Sequence, residues 1–372
     1  MHVVQLNYAV DETLTDPEML LARYEPLTGW ADALVSAGVE RMTVFQRFHR
    51  DVRVMRNGIE YLFRRHSRLH AAVADAQPDV VHVNGLDFPA RTWLLRRLLA
   101  PATAIVVQDH GGHIPNGRSA PVQSAIRRSA LRAADAFLFA AADRAKAWQR
   151  SRMIPPTGRV YGVMEASTTF KPMPRGDARQ ASGVDGDPSL LWVARLNANK
   201  DPMTILNGFE ESLVDLPAAR LTMVYGEDGL LLAIRERVHA SSRLRDRVRL
   251  VGRVARDLMP AFYSAADIFA IGSHDEGSGY ALIEACACGV VPVVTDIPAF
   301  RVITAAGSLG ALWPAGDAHA FSRALVRVAR TDHQQARTRV MEHFDRALSW
   351  PAIGRAALDA YRDVLARRRA CL

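Results

Sequence analysis

The sequence predicts an α/β protein built from two doubly wound parallel-sheet domains in series. Short, continuous apolar runs alternate with helical patterns along the chain, which is typical of parallel strands covered by helices on both faces. A stretch rich in proline, glycine and polar residues at 164–188 interrupts this alternation and has the composition of a linker. A chain of 372 residues is also too long for one ordinary core and fits two or three domains.

The elements of the first half follow from apolar runs and helix stop signals. Gly38 is a plausible end for the first helix, and Pro78 disfavours helix at the residue before it. We predict strands at 3–6, 43–45, 59–63, 80–83, 104–108 and 136–139. We predict helices at 27–37, 68–76, 90–99 and 119–133.

After the linker the same alternation returns, which predicts the second domain. We expect strands at 190–193, 220–225, 248–251, 268–270 and 290–295. We expect helices at 203–213, 230–241, 258–265, 280–288 and 318–329, and a long amphipathic helix at 352–369. Ligands of such sheets bind beyond the carboxyl ends of the strands, so polar residues that follow strands are the first candidates for a site.

Composition narrows the class of protein. The formal charge is +8, the hydrophobic fraction is 49%, and no run of about 18 apolar residues occurs, so we expect no membrane span. No secretory signal is recognisable, and three cysteines fit neither a disulfide framework nor a zinc site, so we expect a cytoplasmic protein. The positive charge fits nucleic acid, an anionic membrane face, an anionic small substrate or simply a solvated arginine-rich surface. Its arginines lack interleaved aromatic residues, which disfavours nucleic acid.

The most informative motif places two glutamates eight positions apart, at Glu276 and Glu284, around the start of a predicted helix. Gly277 and Gly279 let a ligand approach the backbone there. A helix N-terminus binds phosphate through N–H groups that lack intrahelical partners, and a carboxylate beside it accepts hydroxyl groups. The motif therefore suits a nucleotide sugar, although an ordinary turn followed by a solvated glutamate has the same pattern.

Two cations follow the first strand of the second half. Breaking a sugar–phosphate bond leaves negative charge on a diphosphate, which a metal or fixed cations must meet. Arg195 and Lys200 stand at the expected ligand edge and fit that task, although in isolation they also fit an ordinary surface.

Four segments in order, at 191–202, 222–229, 251–254 and 276–284, resemble the GT-B glycosyltransferases, and within them the large retaining family four, the group 1 glycosyl transferases. The resemblance implies two Rossmann-like domains that face each other across a cleft. Residues 1–172 would form an acceptor-binding domain and residues 173–348 a domain for the nucleotide sugar. Residues 349–372 would form a helix that crosses back to the first domain.

The resemblance also implies roles for individual residues. Glu276 would contact hydroxyls of the donor sugar, Glu284 the ribose hydroxyls, and Arg195 and Lys200 the diphosphate. His110 matches the family histidine that faces the donor sugar, so the expected catalytic set is Glu276, His110, Arg195 and Lys200. The remaining donor-binding residues would be Gly252, Arg253 and Val254 near the base, and Gly277, Ser278, Gly279 and Tyr280 at the diphosphate.

Three histidines and two loop residues of the first half are further candidates. His82, within a strand, is interpreted as a core histidine, while Asn84 and Asp87 could reach an acceptor. His110 and His113 resemble a metal pair, but the glycines between them argue against helical spacing.

We expect no metal requirement, because Asp185-Gly186-Asp187 is typical of a turn, and we expect no cofactor besides the donor substrate. The segment after Asn7 lacks the family's Gly-Gly loop, so residues 11–26 could form an acceptor flap. Another departure is Glu165, in a segment where the family often has an Asn-Gly-Val-Asp turn.

The sequence therefore favours a metal-independent, retaining glycosyltransferase with a nucleotide-diphosphate sugar as donor. Its acceptor could be a small molecule, a glycan or a lipid-linked compound, with contact at the inner membrane face left open. The alternatives are a nucleotide-sugar epimerase or phosphorylase on the same fold, and a basic, non-catalytic nucleic-acid or membrane-surface protein.

Overall fold

The computed structural model describes residues 1–112, 114, 120–155 and 158–370. The chain divides into two compact units, one of Met1–Ser167 with Trp350–Leu372 and one of Thr168–Ser349. Each unit is an α/β structure around a largely parallel sheet, as the sequence predicts.

The first unit is built on a sheet of eight strands among the described residues, in the order β3-β4-β2-β1-β5-β6-β7-β8. Its strands are β1 His2–Asn7, β2 Arg41–Arg47, β3 Val52–Arg56, β4 Ile59–Arg64, β5 Val80–Asn84, β6 Ala104–Gln108, β7 Ala136–Phe139 and β8 Arg159–Gly162. Its helices are α1 Pro17–Arg23, α2 Glu25–Ser36, α3 His66–Asp75, α4 Pro89–Arg96, α5 Ala120–Leu131 and α6 Ala142–Arg150. The side chains of the central strands are almost entirely buried, which explains their continuous apolar runs.

In the part of the second unit that the structure describes, six parallel strands lie in the order β11-β10-β9-β12-β13-β14. These are β9 Ser189–Ala194, β10 Arg220–Tyr225, β11 Val248–Gly252, β12 Ile268–Ile271, β13 Val291–Thr295 and β14 Ala311–Trp313. The helices are α7 Arg175–Ser182, α8 Pro202–Ser212, α9 Leu231–Ala240, α10 Ser242–Arg245, α11 Met259–Ala265, α12 Tyr280–Ala287, α13 Pro298–Ile303, α14 Ala318–Ala329 and α15 His333–His343. The last helix, α16 Trp350–Ala370, belongs to the first unit and packs on α2.

The structure contains elements that the sequence does not predict, among them β3, β8, β14, α6, α13 and α15, and one expectation is wrong. The sequence predicts strand β4 but not its antiparallel partner β3, and the two form a hairpin around Asn57 and Gly58, both at positive φ. The expected linker at 164–188 contains helix α7, which ends at Gly183 in a left-handed conformation and packs on α11.

The segment 11–26 contains a short helix rather than only a loop. Asp16 caps helix α1 by accepting the backbone N–H of Glu18, and Pro17 occupies the first helical turn. Its proposed role as an acceptor flap remains a prediction.

Strand order gives each sheet one point where successive strands diverge to opposite sides. In the second sheet this switch point lies between β9 and β12, and in the first it lies between β1 and β5. Ligands of doubly wound sheets bind beyond the carboxyl ends of the strands at this position. The residues that follow these four strands are therefore the candidates for a site.

Candidate functional site

At the switch point of the second sheet, Lys200 contacts Glu276. Lys200 ends a short 3₁₀ turn that follows β9, and its backbone N–H is held by the side chain of Asn197. Glu276 lies in the loop after β12, and its Oε1 accepts hydrogen bonds from Lys200 Nζ and from Ser273 Oγ, the latter at 2.8 Å. Both members of the pair are largely buried, with side-chain exposures of 10% and 13%.

The loop that carries Glu276 runs directly into helix α12. Gly279, at φ +67°, precedes the first residue of the helix. Its carbonyl accepts the backbone N–H groups of Leu282 and Ile283. This positive φ favours glycine, and a Cβ at this position would lie 2.8 Å from Cδ1 of Ile303. Gly277, Ser278, Gly279 and Tyr280 thus lie at a helix N-terminus beside the Lys200–Glu276 pair, as the motif predicts.

Glu284 lies on α12 and is 8% exposed, which rules out a solvated helix residue. Its Oε1 accepts a hydrogen bond from Arg256 at 3.0 Å, and its Oε2 accepts one from the Tyr263 hydroxyl at 2.8 Å. Burial, together with the Glu284 carboxylate, raises the pKa of Tyr263 well above its ordinary value, so the phenol remains a donor. The carboxylate is therefore held in one orientation.

Arg195 and Arg253 lie at the same edge of the sheet as the Lys200–Glu276 pair. Arg195 follows β9, is 58% exposed and stands 3.7 Å from Glu227, an exposed residue after β10. Arg253 follows β11 and donates to the carbonyl of Gly226 at 3.1 Å. Gly252, at φ +83°, ends β11 where the pairing with β10 shifts register, and Val254 follows.

The first unit gathers polar residues at its own switch point. Asn7 ends β1 and Asn84 ends β5, and their side-chain amides are hydrogen-bonded to each other. His110 follows β6, with Nε2 at 3.2 Å from Asn84 Oδ1 and Nδ1 at 2.6 Å from Glu165 Oε2. Burial lowers the pKa of His110, but the Glu165 carboxylate outweighs it and leaves the pKa above the ordinary value.

Asp109 and Arg144 support the loop that carries His110. The Asp109 carboxylate accepts the backbone N–H of Gly112 at 2.8 Å and pairs with Arg144 of α6 at 3.2 Å. Burial raises the pKa of Asp109, while Arg144 partly offsets that effect.

His82 is a core histidine, as expected. It is fully buried, its Nδ1 accepts the Tyr361 hydroxyl at 2.7 Å, and burial lowers its pKa to about 3. Asp87 is exposed and bonds to Arg127 at 3.3 Å.

Sequence reasoning identified the residues that follow strands but missed several of their partners. Ser273, Tyr263 and Arg256 bind the two motif glutamates, and Glu165 binds His110. One feature of the sequence does point to Glu165, because it is a lone carboxylate in an apolar segment that follows β8. The contacts of the others depend on tertiary structure.

The candidate metal-binding residues lie partly inside and partly outside the described part of the chain. Among the described residues, no three His, Cys, Asp or Glu side chains form a group that could hold a metal ion. His113 lies outside those residues. Asp185 lies in the loop between α7 and β9 and pairs with Arg220 at 3.2 Å. The described helices include none long and apolar enough to cross a membrane.

The second unit is similar to known proteins. Residues 175–341 match the model of the family "Glycosyl transferases group 1". A D-inositol 3-phosphate glycosyltransferase of Catenulispora acidiphila is 29% identical over 202 residues, 52% of this chain and 47% of that protein. A GDP-mannose:cellobiosyl-diphosphopolyprenol alpha-mannosyltransferase of Xanthomonas oryzae is 24% identical over 309 residues, 80% of this chain and 78% of that protein. The matches span about half the length of the first curated relatives.

The fold is shared more widely than the sequence. The structure of sucrose-phosphate synthase from Thermosynechococcus elongatus matches 99% of this chain and 100% of that one, with a TM-score of 0.69 and 18% identity. The chain thus has the GT-B fold, and its residues 175–341 match the model of the group 1 glycosyl transferases, the family that the four motifs resemble.

Proposed function

We propose that this protein is a glycosyltransferase that moves a sugar from a nucleotide-diphosphate sugar to an acceptor hydroxyl. Transfer would proceed with retention of anomeric configuration and without a metal ion. The observation that carries the proposal is the Lys200–Glu276 pair beside the start of α12, at the switch point of a sheet in the family's own domain.

A largely buried ion pair is poor evidence of a stabilising role. Removing both charges from water costs free energy that their attraction often fails to recover, so such pairs are frequently neutral for stability. The pair lies instead beyond the carboxyl ends of the strands at the switch point, where doubly wound sheets bind their ligands. We infer that Lys200 meets the diphosphate as negative charge develops and that Glu276 accepts hydroxyls of the donor sugar.

Other residues of the second unit complete the proposed donor site. Arg195 is exposed and sits after the same strand as Lys200, so it is available to bind phosphate oxygens in bidentate fashion. Glu284 is held by Arg256 and Tyr263 and would accept the vicinal hydroxyls of ribose. The segment Gly252, Arg253 and Val254 would border the base.

Relatives support the donor class but leave the acceptor open. The name of the Xanthomonas relative pairs GDP-mannose with cellobiosyl-diphosphopolyprenol, whereas the Catenulispora relative is named for D-inositol 3-phosphate. We therefore propose a nucleotide sugar as donor and leave its base undefined. The acceptor is a small molecule, a glycan or a lipid-linked compound, and His110 is the proposed contact for the sugar.

Removing either member of the pair tests the proposal. We expect Lys200→Ala and Glu276→Ala to lower kcat/KM at least about 100-fold, because each removes a group aimed at the reacting sugar phosphate. Lys146→Ala is a matched control, since Lys146 forms an exposed pair with Asp143 in the first unit and should leave turnover unchanged. The assay measures sugar transfer from a panel of UDP- and GDP-sugars.

The result that would refute the assignment is wild-type turnover in a folded Lys200 or Glu276 variant. Incubation with donor alone separates the related reactions, since an epimerase changes the sugar without acceptor and a phosphorylase requires phosphate. Product anomeric configuration, read by NMR, tests retention directly.

A further inference from the structure

A chain of hydrogen bonds in the first unit has a direction that one backbone carbonyl determines. The Nδ2 of Asn7 donates to the carbonyl of Phe45 at 3.3 Å, and a carbonyl can only accept. The Oδ1 of Asn7 therefore faces Asn84 and accepts from its Nδ2. This leaves Oδ1 of Asn84 as the acceptor for the next members of the chain.

Two histidines share that oxygen. The Nε2 atoms of His82 and His110 lie 2.8 Å and 3.2 Å from Asn84 Oδ1, and a carbonyl oxygen has two lone pairs for them. Both Nε2 atoms must therefore carry a hydrogen. The tautomers follow from the amide orientations, which rest on the Phe45 carbonyl.

The two histidines differ in the hydrogen-bond partner of the other ring nitrogen, Nδ1. The Nδ1 of His82 accepts the Tyr361 hydroxyl at 2.7 Å, so His82 is neutral, in keeping with a pKa that burial lowers to about 3. The Nδ1 of His110 instead lies 2.6 Å from Oε2 of Glu165, whose side chain is 3% exposed. With the Glu165 carboxylate ionised, a contact at this distance requires a hydrogen on Nδ1 as well as on Nε2, and His110 is then an imidazolium cation.

The charged groups around His110 act in the same direction. Glu165 approaches from the segment after β8, and Asp109 precedes His110 on the segment after β6; both raise the pKa of His110 against the effect of burial. Asp109 is itself paired with Arg144 of α6, which reduces its influence. On β5, the neighbouring groups are the neutral His82 and the amide of Asn84.

We propose that Glu165 is a positioning residue that, with Asn84, holds His110 in the doubly protonated form. His110 then presents a fixed positive charge at the carboxyl edge of the first sheet and cannot serve as a general base there. A ligand oxygen that replaces Asn84 Oδ1 at Nε2 would receive a charge-assisted hydrogen bond while Glu165 retains Nδ1. The site therefore favours an oxygen that is anionic or gains negative charge.

The protonation state is a property of the free protein, and only its role in sugar transfer rests on the proposed function. We would record imidazole ¹H–¹⁵N spectra of the full chain with ¹⁵N-labelled histidine, assigned with His110→Gln and His82→Gln. In the wild type we expect both nitrogens of His110 to be protonated at neutral pH, with a titration midpoint above that of free histidine. A wild-type midpoint at or below that of free histidine overturns the proposal without any variant.

A carboxylate variant tests the cause. Glu165→Gln removes the charge at Nδ1, so the titration midpoint of His110 should fall by at least about one pH unit. Asp87→Asn is the matched control, because it removes a carboxylate after β5 that bonds to Arg127 and should leave the midpoint unchanged. The resonances of buried His82 report whether each variant retains the fold, and an unchanged midpoint in a folded Glu165→Gln protein overturns the proposal.

The catalytic consequence has a separate readout. If the protein transfers sugar, the alkaline limb of its kcat–pH profile should move to lower pH in Glu165→Gln, because His110 loses its proton earlier. An unmoved alkaline limb in that variant contradicts the role of the cation in transfer. Absence of transferase activity with the expected titration would refute the proposed function while leaving the His110–Glu165 assignment standing.

Discussion

Glu284 is a carboxylate whose surroundings leave it little freedom. Its two oxygens accept from Arg256 and from Tyr263, and the residue is almost wholly buried on α12. A buried carboxylate requires such donors, since an unpaired charge away from water is costly. A group held in this way is preorganised to bind a ligand without losing side-chain entropy on binding.

The Tyr263 hydroxyl provides a measurable test of this arrangement. We expect Tyr263→Phe to lower the free energy of unfolding by about 1.5–3 kcal/mol, because a hydrogen bond to a charged, buried acceptor is lost. Tyr61→Phe is the matched control: the Tyr61 hydroxyl is buried and has no hydrogen-bond partner in the described part of the chain, so its removal should raise stability by about 1 kcal/mol. Urea unfolding measures both, and equal effects of the two substitutions would contradict this account.

Among the helices, α16 and α2 approach each other with no space for an extra atom. A Cβ built on Gly354 of α16 would lie 2.2 Å from the carbonyl oxygen of Ala33 in α2, a distance that only a backbone shift could relieve. Trp350 at the start of α16 makes a similar approach to Gly29 of α2. These two glycines set how closely the helices pack.

Gly354→Ala therefore has two opposing effects on stability, a gain in helix propensity and a loss from overpacking. Alanine favours a helix interior by about 1 kcal/mol over glycine, but overpacking costs about 1–3 kcal/mol and here involves backbone, so we expect net destabilisation of about 1–2 kcal/mol. In α7, a Cβ on Gly176 meets nothing within 4 Å, so Gly176→Ala should stabilise by up to about 1 kcal/mol. Opposite signs in thermal unfolding are the expected outcome, and a stabilised Gly354→Ala protein would show that α16 can move away from α2.

The elements that sequence could and could not predict differ in what stabilises them. Central strands such as β5 and β9 are buried on both faces, so their apolar runs identify them. Strand β3 is mostly exposed and rich in arginine, and only the Asn57-Gly58 turn indicates its hairpin. Helix α7 is short and polar and depends on packing against α11, which local sequence does not record.

The candidate site also contains residues that the sequence predicts and contacts that it does not. Residues that follow strands, such as Lys200 and Glu276, could be predicted because parallel strands present their carboxyl ends at one edge. Their contact required the strand order that places β9 next to β12. The partnership of His110 with Glu165 joins segments after β6 and β8, which are not neighbouring strands, so spacing along the chain does not indicate it.

At the scale of the whole molecule, each of the two sheets carries a polar cluster at its switch point, and the clusters differ in composition. The second unit pairs a lysine with a glutamate at its switch point, whereas the first builds a chain of neutral amides that ends at His110. The formal charge of +8 is consistent with an anionic ligand but does not identify one. Ligand binding to the intact chain is therefore the measurement that separates a nucleotide-sugar enzyme from a basic binding protein.

A nucleotide sugar that binds the folded second unit must raise its stability by mass action. At a ligand concentration 100 times Kd the expected gain is about 2.7 kcal/mol, which a thermal-shift screen of UDP- and GDP-sugars would detect. Lys200→Ala should lose most of that gain and Lys146→Ala should keep it, because only the first substitution removes a charge from the proposed diphosphate site. Hydrogen exchange should then slow at residues 195–200 and 276–284. If no nucleotide sugar stabilises the protein, while binding to DNA or anionic vesicles falls steeply with salt, the positive charge itself is the functional feature and the transferase assignment fails.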